Sequence, residues 1–385
     1  MLRFVFCRIQ TIQNVVDASI VTFQVDFRAT IPNWWSPSSY NRLYSCAYRF
    51  GLSTDSEIYR KFAKPNTFAA LGTAAHRLTE RAWSNEFEEI DSIDLGAKIS
   101  DVWNQEVEIQ FQKILTAWAP SKVPPPRDWP FYSISSTRTI KRILNEITDF
   151  RARGHQPSNI DRPWVEHELF DENMCLKGTP DRVIFFEESF IVQDLKTGFK
   201  IKEMSESHRR QLLLYAHLVR SDTHKRPKRI EVVKSDGQIL GENISDADVD
   251  DCLQEFRSKT QDFMNSVQRD SVSEDVASPS PEVCGHCHYR PICKSFWADS
   301  KFDWSDSRGS VGRVIRVSNN NTLTLEQIYP SDCVGEVIEV SNVHQTSAVG
   351  DIVSIVNAYK QGSSLRGRWN TILTTLRPAD ESHIT

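Results

Sequence analysis

The chain has 385 residues, with 46 Lys and Arg against 51 Asp and Glu, which gives a formal net charge of −5. Hydrophobic residues make up 39% and charged residues 25% of the chain, a composition that excludes a disordered chain, a collagen and a coiled coil. No apolar run approaches the roughly 18–20 residues that a membrane-spanning helix needs, so we expect no membrane association. Residues 1–10 are briefly apolar but no signal-cleavage site follows them, and we therefore expect a cytoplasmic protein.

Helical and strand patterns alternate along most of the chain. The first 30 residues alternate weakly and predict strands, and a turn-rich loop at 31–40 precedes largely helical segments that include residues 71–83 and 140–153. The elements predicted after these are strands within 164–170, 181–186 and 190–196, a helix at 206–219, a strand at 230–234 and a helix at 247–267. This order predicts an α/β fold.

A different pattern begins at about residue 309. Short alternating runs separated by Asn, Gly and Asp turns predict a small all-β module, similar to an OB or SH3 barrel. Residues 309–385 carry six basic and seven acidic side chains, so their total charge gives no support for a nucleic-acid-binding face. We place the domain boundary between residues 1–304 and residues 305–385.

Eight cysteines are present, and without an export signal we do not expect a disulfide framework. Three of them form a C-x2-C-x5-C motif: Cys284, Cys287 and Cys293. Two thiols three positions apart in a Gly-containing turn can direct both sulfurs at one ion or cluster. Iron–sulfur clusters and zinc both need a fourth ligand, for which Cys46 is the best distant candidate, whereas the nearby His286 and His288 would favour zinc.

The segment 178–198 concentrates charged residues at the ends of two β runs. Asp181 opens the first run, Glu187–Ser189 form a turn, and the second run carries Asp194 and Lys196. Antiparallel pairing about Glu188 would place position 181 opposite 195 and position 182 opposite 194. Asp194 and Lys196 are two residues apart and share a face, with Leu195 pointing into the core, so both carboxylates and the ammonium would meet at one end of a hairpin.

Paired carboxylates are oxygen ligands for Mg²⁺ or Mn²⁺. Such a cation can hold a phosphate oxygen and acidify a bound water, and Lys196 can orient that water or neutralise the charge that develops on phosphorus. The alternative is a hairpin end whose charges are only solvated. The pattern of a hydrophobic strand followed by Asp-x-Lys-Thr-Gly favours the metal site.

Side chains outside the hairpin extend this interpretation. His76 lies one helical turn from Glu80 and is a candidate metal ligand that would shift the preference towards Mn²⁺, although a single helical histidine can also be structural. Glu166 and Glu168 share a face of a predicted strand, and either could assist the metal or be solvated.

A predicted buried helix and a basic strip follow the hairpin. Gln211 and Tyr215 are one helical turn apart, and their polar tips could hold the lysine or a DNA phosphate. Residues 196–229 contain ten basic and three acidic side chains, a balance of +7. A DNA backbone could follow such a strip, although a solvated helix face would have the same composition.

Six motifs occur in an order that resembles the RecB-type branch of the PD-(D/E)XK nucleases. They cover roughly residues 36–297 and comprise S-x-Y-N-R-L-Y-x-C ending at Cys46, G-T-A-A-H (72–76), G-T-P-D (178–181), D-L-K (194–196), Q-L-L-L-Y (211–215) and the cysteine triplet. The likeness is strongest to the iron–sulfur members, namely the AddB nuclease domain and the nucleases of CRISPR spacer acquisition. The tail from about residue 305 has no place in this pattern.

The resemblance implies a restriction-endonuclease-like core, a mixed central sheet flanked by helices, and specific roles. The implied metal ligands are His76, Asp181, Asp194 and the backbone carbonyl of Leu195. Lys196 would be the catalytic lysine, and Gln211 and Tyr215 would position it and the DNA. A 4Fe–4S cluster would bind to Cys46, Cys284, Cys287 and Cys293.

The implied activity is metal-dependent cleavage of single-stranded or end-bearing DNA, in repair, recombination or antiviral defence. The sequence has no G-x-x-x-x-G-K-[ST] loop, so we expect no ATP-driven motor in this chain and, as its partner, a helicase or another repair or defence subunit. Two alternatives stay open: a non-catalytic DNA-binding or scaffold subunit, and a zinc-stabilised protein with another enzymatic role. The C-terminal β module is a candidate for binding either the DNA strand or the partner.

Overall fold

A computed structural model defines the fold. It describes residues 27–63, 66–84, 86–117, 123–152, 163–197, 201–269, 272–299, 309–318, 320–329, 333–343, 347–362, 364–368 and 371–376. The strands predicted before residue 27 lie outside the described residues, and residues 27–30 are irregular rather than extended in a sheet. Within the described ranges, none of the helices combines the length and the apolar character needed to cross a bilayer.

The described residues form two compact units. The first spans residues 27–278, and the second contains the described residues from 279 onwards. The cysteine triplet therefore belongs to the second unit and Cys46 to the first. The predicted domain boundary at 304/305 lies outside the described residues and stays a prediction.

Eight helices belong to the described part of the first unit. They are α1 (Pro37–Ser45), α2 (Ala47–Thr54), α3 (Ser56–Phe62), α4 (Thr67–Trp83), α5 (Ser92–Ala117), α6 (Tyr132–Ala152), α7 (Glu206–Thr223) and α8 (Asp246–Gln268). Several of them begin at a residue whose side chain accepts a hydrogen bond from a backbone N–H of the first turn, which has no acceptor within the helix: Ser36, Asp55, Asn66, Ser205 and Ser245. These caps explain where the helices predicted from periodicity start.

A five-stranded mixed sheet forms the centre of this unit. Its strands, in spatial order, are β1 (Trp164–Val165), β4 (Arg182–Phe185), β5 (Ser189–Lys196), β6 (Arg226–Lys234) and β7 (Ile239–Asn243). Only β5 and β6 pair in parallel, and α7 connects them. A separate hairpin consists of β2 (Leu169–Asp171) and β3 (Leu176–Gly178).

Helices cover this sheet and also pack on one another. The apolar run Leu212–Val219 of α7 is buried in one cluster with the strands and with α1 and α8. A second cluster joins α4, α5 and α6 around Trp103 and Leu78. The mixed sheet with flanking helices confirms the predicted α/β, restriction-endonuclease-like fold class.

The second unit is mostly β structure. The short helices α9 (Pro281–Cys284) and α10 (Lys294–Asp299) precede strands β8 (Ser310–Ser318), β9 (Thr322–Tyr329), β10 (Val337–Ser341), β11 (Ile352–Val356), β12 (Tyr359–Gln361), β13 (Ser364–Arg366) and β14 (Ile372–Leu376). They form one sheet in the order β12-β13-β10-β9-β8-β11-β14. The predicted all-β module is confirmed, whereas the short strand β13 was not predicted and the predicted run 351–359 divides into β11 and β12.

The predicted register of the β4–β5 hairpin is wrong by one residue. Arg182 pairs with Gln193, not with position 194, and Phe185 pairs with Phe190. The reason is the turn: Phe186 N donates to Ser189 O at 2.8 Å, so the chain reverses between residues 187 and 188 rather than at Glu188 itself. Asp181 still lies at the end of the hairpin that carries Asp194 and Lys196.

Gly178, in the G-T-P-D motif, lies directly beneath a candidate site residue. A Cβ at this position would lie 2.7 Å from Cε1 of Tyr215 and 3.1 Å from a methyl group of Leu218. We predict that Gly178→Ala lowers the free energy of unfolding by about 1–3 kcal/mol in urea denaturation, because the buried ring must move.

Gly96→Ala is the matched control. No atom lies within 4 Å of the Cβ that it would add inside α5, so it should stabilise the protein by up to about 1 kcal/mol. Equal unfolding free energies for both variants would contradict the close packing of Gly178 against Tyr215.

Candidate active site

Three side chains from distant parts of the chain meet at one end of the mixed sheet. His76 Nδ1 lies 3.1 Å from Asp181 Oδ1 and 3.4 Å from Glu166 Oε1. One ligand atom from each of the three residues lies within 4.8 Å of the others. Among the described residues, this is the group of His, Cys, Asp and Glu side chains close enough to hold one metal ion.

Each member of this cluster is placed by a different element. His76 lies on α4, Asp181 immediately precedes β4, and Glu166 immediately follows β1. Glu166 has a φ of 49°, in the left-handed region that residues with a Cβ rarely adopt. Its N–H donates to Asp181 O at 3.2 Å, which ties the end of β1 to the start of β4.

The expectation that Glu166 and Glu168 share a strand face is wrong. The left-handed Glu166 ends the strand after two residues, so the alternation of side chains stops there. Glu168 instead lies 3.9 Å from Lys177, with both side chains well exposed. Glu80, one turn from His76, is likewise separate from the cluster because it pairs with Arg77 at 2.6 Å.

Asp194 and Lys196 form an ion pair beside the cluster. Asp194 is 2% exposed, and its Oδ2 lies 2.8 Å from Lys196 Nζ. Leu195, between them, donates its N–H to Asp181 Oδ2, a contact that joins the carboxylate of the cluster to the strand that bears the lysine. The structure therefore brings Asp181, Asp194 and Lys196 to one end of the hairpin, as predicted.

Helix α7 holds the Asp194 carboxylate from the other side. Gln211 Nε2 donates to Asp194 Oδ1 at 3.2 Å and contacts Tyr215 Oη at 3.4 Å. Both residues face the strand end from adjacent turns of the helix, where they were predicted to lie. Gln211 thus fixes the orientation of the acid that binds the lysine.

The pKa values of the site are shifted by burial and by the neighbouring carboxylates. Burial raises the pKa of Asp194 to about 6, an effect that Lys196 opposes and the neighbouring Asp181 carboxylate reinforces. Burial lowers the pKa of His76, but Asp181 and Glu166 outweigh it and raise the value to about 10. Burial also raises the pKa of Tyr215, and the nearby carboxylates add to that shift.

These residues fit a divalent cation. An imidazole and two carboxylates within reach of one point offer the nitrogen and oxygen donors that Mn²⁺ accepts, and the carboxylates alone suit Mg²⁺. The buried acid Asp194 adds negative charge next to them. The sequence signal for Glu166 was present but ambiguous, because neither composition nor periodicity distinguishes it from Glu168.

A network of polar side chains on the opposite face of the sheet supports the ends of β4 and β5 that carry Asp181 and Asp194. Gln193 precedes Asp194, so their side chains point to opposite faces of the sheet. Gln193 bonds to Arg182 on β4 and to Glu231 on β6. Arg182 also lies 3.7 Å from Glu146 of α6, which accepts a hydrogen bond from Arg142 at 2.8 Å.

This polar network extends to α4, the helix that bears His76. Arg142 Nη2 donates to Thr79 Oγ1 on α4 at 2.8 Å, and Trp83 Nε1 of the same helix donates to Glu146 at 3.3 Å. These contacts connect helices α4 and α6 to the β4–β5 hairpin. The hairpin residues that take part, Arg182 and Gln193, are the sequence neighbours of Asp181 and Asp194.

Two of the four predicted cluster cysteines accept a backbone hydrogen bond at sulfur. Cys46 caps α2 and its Sγ accepts a hydrogen bond from Arg49 N at 3.4 Å. In the second unit, Cys284 ends α9 and Cys293 Sγ accepts one from Phe296 N at 3.4 Å. All seven described cysteines are thiols rather than disulfides.

Comparisons with known proteins match one family model to the greater part of the chain. Residues 34–294 match the family model of the PD-(D/E)XK nuclease superfamily. No curated protein matches the chain significantly. Among solved structures, a candidate exonuclease from Eubacterium rectale is 10% identical, covers 63% of this chain and 83% of its own, and has a TM-score of 0.37. The protein SSO0001 is 16% identical, covers 57% of this chain and 95% of its own, and has a TM-score of 0.23.

A substitution of Glu146 tests the contribution of the polar network to stability. We predict that Glu146→Gln lowers the free energy of unfolding by about 1.5–3 kcal/mol, because Arg142 and Arg182 would lose a charged partner in a half-buried position. Asp250→Asn is the control: Asp250 pairs with Arg220, but 62% of its side chain is exposed, so its loss should cost less than about 1 kcal/mol. If urea unfolding finds Glu146→Gln as stable as Asp250→Asn, the polar network around Glu146 does not stabilise the fold.

Proposed function

The chain belongs to the PD-(D/E)XK nuclease superfamily, and from this premise we propose that it is a DNA nuclease that depends on Mg²⁺ or Mn²⁺. Membership of the superfamily implies metal-dependent nuclease activity. The observation that carries the proposal is the cluster of His76, Glu166 and Asp181 beside the Asp194–Lys196 ion pair. Imidazole, carboxylates and an ammonium are the groups that metal-assisted phosphodiester hydrolysis needs.

The roles of the residues follow from their positions. His76, Asp181 and Glu166 would hold the cation, with Asp194 and the Leu195 carbonyl as further ligands. The chemistry that a bound cation supplies is polarisation of the phosphate and acidification of a water molecule.

The remaining groups act around these ligands. Lys196, held by Asp194, presents its ammonium to the phosphate oxygens and stabilises the negative charge that grows on them during attack. Gln211 keeps the Asp194 carboxylate in place through its 3.2 Å hydrogen bond, and Tyr215 supports Gln211.

The proposed substrate is single-stranded or end-bearing DNA. Part of the basic strip at 196–229 supports binding of a phosphate backbone, although several of its cations already have partners. Arg209 pairs with Glu242 and Asp248, and Arg220 pairs with Asp246 and Asp250, so these two arginines contribute little free positive charge.

The finer assignment within the superfamily rests on the motif resemblance. From it we infer the RecB-type iron–sulfur branch, a role in DNA repair, recombination or antiviral defence, and a helicase or another repair or defence subunit as partner. The 4Fe–4S cluster would use Cys46, Cys284, Cys287 and Cys293. Backbone N–H groups that point at the sulfurs of Cys46 and Cys293 support thiolate ligation, because such hydrogen bonds favour the ionised sulfur.

The catalytic lysine gives the direct test of activity. We predict that Lys196→Ala lowers the rate of cleavage of a labelled single-stranded oligonucleotide by at least about 100-fold with Mn²⁺ present, because the charge on the transition state loses its cation. Excess EDTA should stop cleavage by the wild-type chain.

Lys113→Ala, which removes an exposed lysine of α5 outside the basic strip, should cleave at the wild-type rate. Cleavage that persists in Lys196→Ala would contradict the assigned role. A wild-type chain that binds DNA but does not cut it would instead favour a non-catalytic subunit.

The proposed 4Fe–4S cluster is tested by the metal content of the purified protein. We expect about four iron atoms with matching acid-labile sulfide per chain after anaerobic purification. Cys287→Ser should lose most of this iron, whereas Cys252→Ser, a buried cysteine of α8 outside the motif, should retain it. One zinc per chain and no sulfide would overturn the iron–sulfur assignment and restore the zinc alternative.

A further inference from the structure

The charges of the C-terminal β module are separated along the chain. Residues 309–351 contain two basic and five acidic side chains, whereas residues 352–385 contain four basic and two acidic side chains, the acidic ones being Asp380 and Glu381. The near balance over the whole module, which gave no support for a nucleic-acid-binding face, therefore conceals a basic half.

The structure collects part of this basic half at one edge of the sheet. Strand β12 is the outermost strand and pairs only with β13 in the described sheet. Tyr359 on β12 is directly opposite Arg366 on β13, so the two side chains lie next to each other on one face. Just beyond β13, the guanidinium of Arg368 lies 4.7 Å from the centre of the Tyr359 ring.

This face is the outer face of the sheet. The residues that alternate with it, including Leu365 on β13 and Val340 on β10, are buried in the core of the module. Tyr359 is 45% exposed, and Arg366 and Arg368 are also exposed. We call these three residues the edge patch.

The described residues place no carboxylate beside the edge patch. Within the described residues, neither Arg366 nor Arg368 has an acidic side chain within 4.0 Å. Glu339, on the strand next to β13, is already paired with Arg316 on β8 at 3.0 Å. In the part of the chain that the structure describes, both arginines are available to an external anion.

We propose that the edge patch binds single-stranded DNA. The guanidinium groups of Arg366 and Arg368 suit phosphate oxygens, and the Tyr359 ring with the flat Arg368 guanidinium offers a surface on which an unpaired base can stack. A single strand presents both chemical groups, whereas an acidic protein surface would use the charges and leave the exposed ring unexplained. This inference deepens the proposed nuclease function, because it gives the module the task of holding the strand.

The test measures binding without cleavage. Fluorescence anisotropy of a labelled oligothymidylate is recorded with the full chain in EDTA over a range of salt concentrations. The double variant Arg366→Ala/Arg368→Ala should reduce the slope of log K against log salt by about 1.4, because each lost phosphate contact removes about 0.7. Tyr359→Ala should weaken binding by about 5- to 150-fold, and Tyr359→Phe should bind like the wild type because the ring is kept.

The double variant Arg316→Ala/Glu339→Ala is the matched control. It removes an ion pair from the same outer face without changing the net charge, and binding should stay at the wild-type level. Wild-type affinity and salt slope in the Arg366→Ala/Arg368→Ala chain would overturn the edge patch as a DNA site. So would a Tyr359→Phe variant that binds as weakly as Tyr359→Ala.

The two proposals fail separately. Cleavage by the wild-type chain together with unchanged binding in the edge-patch variants would remove this inference alone. Loss of binding in those variants, with no cleavage by the wild type in Mn²⁺, would remove the nuclease proposal and leave the DNA site.

Discussion

The structure is organised around negative charge held at one end of the β4–β5 hairpin. Three carboxylates lie there: Glu166 and Asp181 both contact His76, Asp181 contributes to the raised pKa of Asp194, and Asp194 is almost fully buried. Such an arrangement is costly unless cations compensate it. Lys196 and His76 supply part of that compensation, and the remaining donors suit a divalent metal ion.

The surrounding fold keeps these groups together. Helix α7 covers one side of the strand end and fixes Asp194 through Gln211, with room for Tyr215 because Gly178 lacks a side chain. On the other side, Arg182 and Glu146 connect the hairpin to α6 and to α4, the helix that carries His76. The site is thus held between helices on both faces of the sheet, which limits the freedom of each ligand.

Much of the fold and part of the candidate site could be predicted from the sequence. Apolar periodicity located α4, α7 and α8, and the spacing of Asp194 and Lys196 placed both on one strand face. The position of Glu166 could not be predicted, because its left-handed backbone interrupts an apparently regular strand. The one-residue register error had a similar local cause, since the turn geometry at residues 186–189 is not encoded in the alternation of side chains.

Contacts between residues far apart in the sequence could not be predicted either. Nothing in the neighbourhood of Glu146 indicates that Arg182 lies beside it, since only the tertiary fold joins α6 to β4. The separation of charge in the C-terminal module was visible in the sequence. Its significance depended on the strand order that places β12 and β13 together at an edge.

The most direct measurement is calorimetric titration of the purified chain with Mn²⁺ in the absence of DNA. The account predicts saturable binding to the wild type and a loss of affinity of at least about 10-fold in both Asp181→Asn and Glu166→Gln, since even residues that only support metal ligands cost about 10- to 100-fold when replaced. Equal Mn²⁺ affinity in the wild type and both variants would contradict the assignment of this cluster as the metal site.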